Sequence, residues 1–141
     1  MSDSAAGLRL QVEPDLTALE PTRLAVLAYL APHALSAQAI YAVELVLEEV
    51  LTNQFKYAFV GRTASAVALS VDVATGDVVI GFADDGLAFD PLQAAEPLWP
   101  SSLQQAQVGG LGLVLVQRLA KSAAYERVDE RNRLTITIDG G

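Results

Sequence analysis

Cysteine is absent from the 141-residue sequence, and aromatic residues make up only 6% of it. Without cysteine the chain has no disulfide, no thiol nucleophile and no cysteine-based metal site, which fits a reducing compartment. The hydrophobic fraction of 52% is too high for a disordered chain, and with so few aromatics it consists mainly of Ala, Leu and Val. The sequence therefore predicts one folded domain over residues 1–141 with an aliphatic core.

Positive charge is also scarce, because 9 Lys and Arg residues stand against 17 Asp and Glu residues, for a formal net charge of −8. Such a chain lacks the basic surface by which proteins bind nucleic acid or anionic membranes. No apolar run approaches the ~20 residues of a membrane-spanning helix. The polar start, expected to be flexible over residues 1–7, lacks the pattern of a signal peptide. We expect a soluble cytoplasmic protein that binds neither nucleic acid nor membrane.

The hydrophobic pattern predicts five strands, the second and third of which form a hairpin and the last two another. Alternation of apolar and polar residues places them at residues 8–12, 63–73, 78–83, 124–128 and 134–138. Turns are predicted at 75–77 and at 129–132.

Three helices are predicted between and after these strands. The first begins near Asp15 or Glu20 and ends before Pro32, and the second runs from an N-cap at Ser36 to about Phe59, where Gly61 stops it. The third runs from Leu113 to about Lys121. The order of elements predicts an α+β fold, a two-layer α/β sandwich with a mixed, mostly antiparallel sheet and helices on one face. The long loop over residues 87–108 has the length of a functional lid.

The second helix carries polar residues beside its apolar stripe. With a rotation of 100° per residue, Glu49 and Lys56 lie on the same border of the stripe as Asn53, whereas Glu48 points away. On its own, this pattern is more typical of a solvated helix face than of a site.

Two later segments have the composition of ligand-binding loops, although each also has an ordinary structural explanation. Asp84-Asp85-Gly86 follows an apolar strand, where a carboxylate can accept a hydrogen bond from an exocyclic amine, but Asp-Gly is also a common turn pair. The segment Gly109-Gly110-Leu111-Gly112-Leu113 opens a helix whose free N–H groups attract anions. A glycine-rich helix start is by itself a weak signal.

Taken together, the three segments resemble the GHKL family of ATP-binding proteins. The likeness is strongest to the small anti-sigma-factor serine kinases of bacterial partner-switching systems. Residues 48–53 (EEVLTN) match the N box of that family, residues 84–91 (DDGLAFDP) its first glycine box and residues 109–113 (GGLGL) its second. The segment from Tyr125 to Ile136 is similar to the final hairpin of the family, so the likeness spans roughly residues 8–138.

The resemblance implies that the chain binds ATP and Mg2+, and it gives a role to each motif residue. Glu49 is the implied catalytic residue, as general base or orienter of the attacking hydroxyl, and Asn53 is the implied metal ligand. Asp84 would accept a hydrogen bond from the adenine amino group. The other residues expected to bind the nucleotide are Lys56, Tyr57, Gly86, Ala88, Gly109, Gly110, Leu111, Gly112 and Leu113.

The function implied by the resemblance is that of a protein serine/threonine kinase. Its substrate would be a serine of a STAS-domain anti-sigma-factor antagonist, and it would also sequester a sigma factor or a similar regulator. The family further suggests a homodimer formed through the first strand, with which the pattern of residues 8–12 is compatible.

Two departures from the family pattern leave other functions open. Ala88 stands in place of the second glycine of the first glycine box, and no Lys or Arg occurs between Arg62 and Arg118. Because phosphoryl transfer depends on electrostatic stabilisation, a lid without positive charge predicts a strong Mg2+ requirement and modest nucleotide affinity. The alternatives are a nucleotide-gated binding module with little or no kinase activity and a regulatory ATPase without a protein substrate.

Overall fold

Five strands form one sheet in the computed structural model, which describes residues 7–55, 66–86, 88 and 116–141. The strands, in chain order, are β1 (Leu8–Val12), β2 (Val67–Ala74), β3 (Asp77–Asp84), β4 (Ser122–Val128) and β5 (Arg131–Asp139). Across the sheet they lie in the order β1-β2-β3-β5-β4, and each described pairing is antiparallel. This arrangement makes β3 the central strand, with β2 and β5 as its neighbours.

Both hairpins turn through two residues that have positive φ angles. Thr75 and Gly76, at 50° and 85°, join β2 to β3, and Asp129 and Glu130, at 52° and 62°, join β4 to β5. Two successive positive φ angles are those of a type I′ turn, whose twist matches that of the flanking strands. The turn predicted over residues 129–132 is therefore too long, because two residues suffice and β5 begins directly after them.

The first helix, α1 (Leu19–Leu30), has a short 3₁₀ turn at each end. Leu16–Ala18 precedes it, capped by the Asp15 side chain, and Ala31–His33 follows it. The two predicted starting points of this helix, Asp15 and Glu20, thus lie in one continuous helical segment. The predicted end before Pro32 is confirmed.

The second helix, α2 (Ala37–Asn53), begins as predicted. The hydroxyl oxygen of Ser36 accepts a 3.0 Å hydrogen bond from the N–H of Ala39, which satisfies one of the otherwise unpaired donors of the first turn. Residues 54–55 continue α2 in a π-helical turn. The predicted end near Phe59 lies outside the described residues.

The helices cover one face of the sheet, and the core lies between the two layers. Alternate residues of the strands are buried against the apolar stripe of α2 and one side of α1, which is the expected hydrophobic driving force for a two-layer fold. Val116, in the helical segment 116–119, joins the same core. The largest fully buried side chains include Leu30, Val43, Val46, Val50, Leu51, Leu69, Ile80, Phe82, Leu134 and Ile136.

Several predicted features lie outside the described residues. These are residues 1–6 of the predicted flexible start, the loop 87–108 apart from Ala88, and the first part of the third helix. Within the part of the chain that the structure describes, no helix is long and apolar enough to cross a membrane.

Candidate functional site

The buried row of side chains along β3 ends in a carboxylate. Val78, Ile80 and Phe82 point into the core, and the next residue on that face, Asp84, is also 0% exposed. Removing a carboxylate from water is costly unless hydrogen bonds replace the lost solvation. The partners of Asp84 therefore decide whether this end of the strand is merely structural.

Three N–H groups bind the Asp84 carboxylate. Its Oδ2 accepts a 2.7 Å hydrogen bond from Nε2 of Gln54, at the end of α2. Its Oδ1 accepts one of 2.8 Å from the backbone N–H of Gly86 and one of 2.9 Å from Nδ2 of Asn132, which lies opposite it on β5. None of the three donors carries a charge.

Hydrogen-bonding capacity remains on this carboxylate. An ionised carboxylate has about four acceptor positions, two on each oxygen. The three hydrogen bonds of Asp84 occupy two positions on Oδ1 and one on Oδ2. The carboxylate is thus held rigidly by neutral donors while Oδ2 keeps a position for one more donor, such as the amino group of a purine.

The β4–β5 hairpin fixes the amide of Asn132. Its Oδ1 accepts hydrogen bonds from the hydroxyl of Tyr125 and, at 3.1 Å, from Nη1 of Arg127. With the oxygen engaged by two donors, Nδ2 is the end of the amide that faces Asp84. Arg127 Nη1 also donates to the carbonyl oxygen of Gly86 at 2.9 Å, so the hairpin holds both Asp84 and the chain that follows it.

The last two turns of α2 carry two further residues that were predicted to belong to the site, Glu49 and Asn53. Glu49 is half-buried and Glu48 is exposed, in agreement with the predicted helix faces. Asn53 is only 5% exposed, and its Nδ2 donates a 2.6 Å hydrogen bond to the backbone oxygen of Glu49. Its Oδ1 makes no hydrogen bond to any residue that the structure describes. Because Gln54 contacts Asp84, the structure brings this end of α2 next to the end of β3.

The available donors fit Mg2+ that arrives with a triphosphate. Mg2+ prefers oxygen ligands and commonly takes only one or two from the protein, the others coming from phosphates and water. Asn53 offers such an amide oxygen, and the described residues contain no cluster of three His, Asp or Glu side chains that could hold a metal without the nucleotide.

Of the remaining predicted site residues, the structure describes only Ala88. Ala88 is described and exposed, two residues beyond Gly86. Lys56 and Tyr57, and the glycine-rich segment from Gly109 to Leu113, lie outside the described residues.

Gln54 and Asn132 both bind Asp84, although neither was predicted as a site residue. Gln54 had a detectable signal, since it lies about 100° from Asn53, in the middle of the apolar stripe of α2. A polar residue at that position predicts a specific buried partner. Asn132 was predicted to lie in a turn. Because the turn contains only Asp129 and Glu130, Asn132 lies instead on β5, opposite Asp84.

Comparison with known sequences gives matches over most of the chain. The family described as "Histidine kinase-like ATPase domain" matches residues 12–138. Serine/threonine-protein kinase BtrW of Bordetella bronchiseptica is 35% identical over 102 residues, which cover 72% of each chain. Serine-protein kinase RsbW of Listeria innocua is 25% identical over 116 residues, which cover 79% of this chain and 73% of the relative. The family and the enzyme class that the motifs implied agree with these names.

Comparison with solved structures gives the same fold. A crystal structure of the RsbU and RsbW domains of a Mycobacterium tuberculosis protein aligns with a TM-score of 0.67 and 14% sequence identity, over 94% of this chain. The chain spans 32% of the mycobacterial one. At this identity the likeness shows the fold alone, and it confirms the predicted two-layer α/β sandwich.

Proposed function

Because the chain belongs to the histidine kinase-like ATPase family, we propose that it is a Mg2+- and ATP-dependent serine kinase of a partner-switching system. The observation that carries the proposal is the fully buried Asp84, which three neutral donors hold with one acceptor position left on Oδ2. A carboxylate with one free acceptor position can bind the amino group of adenine. A purely structural residue at this position of the core would not need a buried carboxylate.

In this proposal the end of α2 contacts the triphosphate. The Oδ1 atom of Asn53 is a ligand for Mg2+, which supplies charge stabilisation for the transferred phosphoryl group. Glu49, one turn earlier, accepts the proton of the seryl hydroxyl as its oxygen bonds to the γ-phosphorus. The bond between the γ-phosphorus and the bridging oxygen of the β-phosphate breaks, so the products are phosphoserine and ADP.

The proposed partners are proteins. The phosphate acceptor is a serine of a STAS-domain anti-sigma-factor antagonist, and the second partner is a sigma factor or a similar regulator that the kinase sequesters. A homodimer through β1 and a cytoplasmic location belong to the same proposal. The named relatives support it because they are serine- and serine/threonine-protein kinases.

Phosphate transfer provides the decisive test. Purified protein is incubated with Mg2+, γ-labelled ATP and candidate STAS-domain proteins from the same genome, and label on the STAS protein is measured. The Glu49→Ala variant should lose transfer by at least about a hundredfold, as expected for removal of a general base. Glu48→Ala is the matched control, because Glu48 is the exposed neighbour on the same helix and its loss should leave transfer unchanged.

A nucleotide-gated binding module is the second candidate function. The exposed Ala88 in place of a glycine and the absence of Lys and Arg between Arg62 and Arg118 favour it. A module would bind ATP and its partner but transfer no label, and Glu49→Ala would then behave like Glu48→Ala. Phosphate release without any partner protein would instead indicate a regulatory ATPase.

A further inference from the structure

Gln54 contains a buried acceptor without a partner. The residue is 3% exposed, and its Oε1 is the one buried side-chain nitrogen or oxygen atom among the described residues that makes no hydrogen bond. Buried polar atoms are almost always paired, so an orphaned acceptor calls for a partner. Since its Nε2 binds Asp84, the orphaned oxygen lies beside the carboxylate of the proposed nucleotide site.

Exchanging the two ends of the amide would not resolve this orphan. If Oε1 took the place of Nε2, an acceptor would face Oδ2 of Asp84, which is itself an acceptor, and the 2.7 Å contact would be repulsive. The orientation with Nε2 towards Asp84 is therefore fixed. It leaves Oε1 to receive a hydrogen from something other than Asp84.

We infer that Gln54 determines base specificity in the proposed nucleotide site, its Oε1 accepting one hydrogen of the purine's exocyclic amine while Oδ2 of Asp84 accepts the other. This inference rests on the proposed function, because it assumes that a purine binds at Asp84. Asp84 has one free acceptor position and can bind only one of the two amine hydrogens. The inference is that Gln54 binds the other.

The spacing of the two acceptors fits one amine. Nε2 and Oδ2 are 2.7 Å apart, and the oxygen and nitrogen of one amide are about 2.3 Å apart, which puts the two oxygens at most about 5 Å from each other. At about 5 Å apart the two oxygens would have Nε2 directly between them, which leaves no room for the amine. In a bent contact, in which Nε2 donates the hydrogen on the same side of the amide as Oε1, the oxygens are about 3.5 Å apart and an amine nitrogen can lie about 2.9 Å from both. A bent arrangement of the Gln54–Asp84 contact therefore allows both amine hydrogens to be bound, with N–H···O angles of about 150°.

The two acceptors, Oε1 of Gln54 and Oδ2 of Asp84, favour a purine with an unsubstituted amine at position 6. A 6-oxo purine such as guanine or hypoxanthine would place its carbonyl oxygen against Oε1 and Oδ2, and the three acceptors would repel each other. A purine with one methyl group on the amine would keep one hydrogen bond and lose the other. If Asp84 alone read the amine, a single methyl group would leave its hydrogen bond intact.

The test compares ATP with N6-methyl-ATP, both with Mg2+, by isothermal titration calorimetry. The wild-type chain should bind N6-methyl-ATP about tenfold more weakly than ATP, the loss expected for one hydrogen bond in a buried site. In Gln54→Leu the ATP affinity should fall by a similar factor while the N6-methyl-ATP affinity changes little, so that the preference falls below about twofold. Gln38→Leu, at an exposed position of the same helix, is the matched control and should retain the preference.

Each remaining outcome is informative. Equal binding of the two nucleotides by the wild-type chain would overturn the role of Gln54 while leaving the proposed function intact, and so would equal weakening of both by Gln54→Leu. Failure of the wild-type chain to bind either nucleotide would overturn the proposed function as well. The wild-type comparison needs no variant, and Gln54→Met, which nearly preserves the side-chain volume, replaces Gln54→Leu if the latter does not fold.

Discussion

At the scale of single residues, Asp84 is the position where stability and ligand binding can be separated. Its hydrogen-bond partners among the described residues are three uncharged N–H donors, so its environment binds a carboxylate but does not require full charge. An amide has the same shape and can still accept hydrogen bonds at one of its two ends. Substitution at this one site can thus remove the acceptor for a ligand without emptying the pocket.

Asp84→Asn should fold nearly as well as the wild type. Its oxygen can accept from Gly86 and Asn132, and its new N–H can bind Oε1 of Gln54 once that amide turns over. We expect the free energy of unfolding to change by less than about 1 kcal/mol in urea titrations, whereas Asp84→Ala, which strands the buried donors, should lose about 2–4 kcal/mol. Nucleotide affinity should fall at least about tenfold in both variants. Equal destabilisation by the two substitutions would show that the charge itself is required.

At this scale the sequence predicted those candidate site residues whose signals are local. Asp84 and Asn53 stand in short motifs, and the choice of Glu49 over Glu48 followed from the helical period and agrees with their exposure. The contacts of Asp84 with Gln54 and Asn132 join residues 30 and 48 positions apart. Hydrophobic periodicity reports which face of an element is buried, but it does not report which polar residues meet across elements.

At the scale of secondary-structure elements, the two hairpin turns have the same conformation with different residues. Glycine occupies the second position of the β2–β3 turn, whereas Glu130 adopts a φ of 62° in the β4–β5 turn. For a residue with a Cβ atom, this left-handed conformation costs about 1 kcal/mol. The β4–β5 hairpin, which holds Asn132, is therefore less stable than it would be with glycine at position 130.

Glu130→Gly should stabilise the protein by about 1 kcal/mol, because one of the two positive-φ positions of the turn is then occupied by a residue without a Cβ atom. The opposite change, Gly76→Ala, should destabilise it by a similar amount. A methyl group at Gly76 would meet no atom within 4 Å, so this variant isolates the backbone cost. Urea unfolding of the two variants measures both effects, and a stability loss in Glu130→Gly would contradict the prediction.

Arg23 links α1 to α2, and its ion pair with Glu20 within α1 makes a contribution to stability that depends on pH. Arg23 Nη1 donates a 2.7 Å hydrogen bond to Glu44 on α2, and the same guanidinium binds Glu20 on α1. The hydrogen bond from Arg23 lowers the pKa of Glu20 below its ordinary value, against a smaller opposing effect of desolvation. A group with a lowered pKa stabilises the fold above its ordinary pKa, and this contribution disappears as the pH falls through the lowered value.

Arg23→Met should therefore destabilise the protein at neutral pH and lose this effect in acid. Free energies of unfolding for the two chains, measured in urea between about pH 7 and pH 3, should converge as Glu20 becomes protonated. A difference that stays constant over that range would mean that Arg23 stabilises the helices by packing of its aliphatic stem and not by its charge.

At the scale of the whole molecule, charge is the property that constrains ligand binding. The chain has a net charge of −8 and no Lys or Arg between Arg62 and Arg118, yet the proposed ligand is itself polyanionic. A divalent cation reduces this repulsion, and the described residues contain no acidic cluster that would bind one in advance. Nucleotide and metal are therefore expected to bind together.

ATP with Mg2+ should raise the melting temperature, and either one alone should not. Ligand at a hundredfold excess over its dissociation constant stabilises a native state by about 2.7 kcal/mol, which is readily seen in a thermal melt. Excess EDTA should abolish the shift. If ATP gives the same shift with and without the chelator, groups of the protein and not the metal neutralise the phosphates.

Much of the fold could be predicted at this scale. The order of strands and helices, the N-cap of α2 and the family were predicted correctly, since each is encoded in local periodicity or in a contiguous motif. The strand order across the sheet, with β5 between β3 and β4, was not predicted. It places Asn132 beside Asp84 and therefore assembles the site.

The pairing of Asp84 with Asn132 across β3 and β5 has a consequence for how such chains diverge. Either polar residue alone is a liability in an apolar interior, and replacing both still leaves the buried Gln54 without its acceptor, so the liability disappears only when Gln54 is replaced as well. A lineage that no longer needed a nucleotide would be under no pressure to keep the pair, and it would gain little by discarding only one member. Changes at positions 54, 84 and 132 should accordingly occur together, with aliphatic residues at all three positions in descendants that keep the fold but no longer bind a nucleotide.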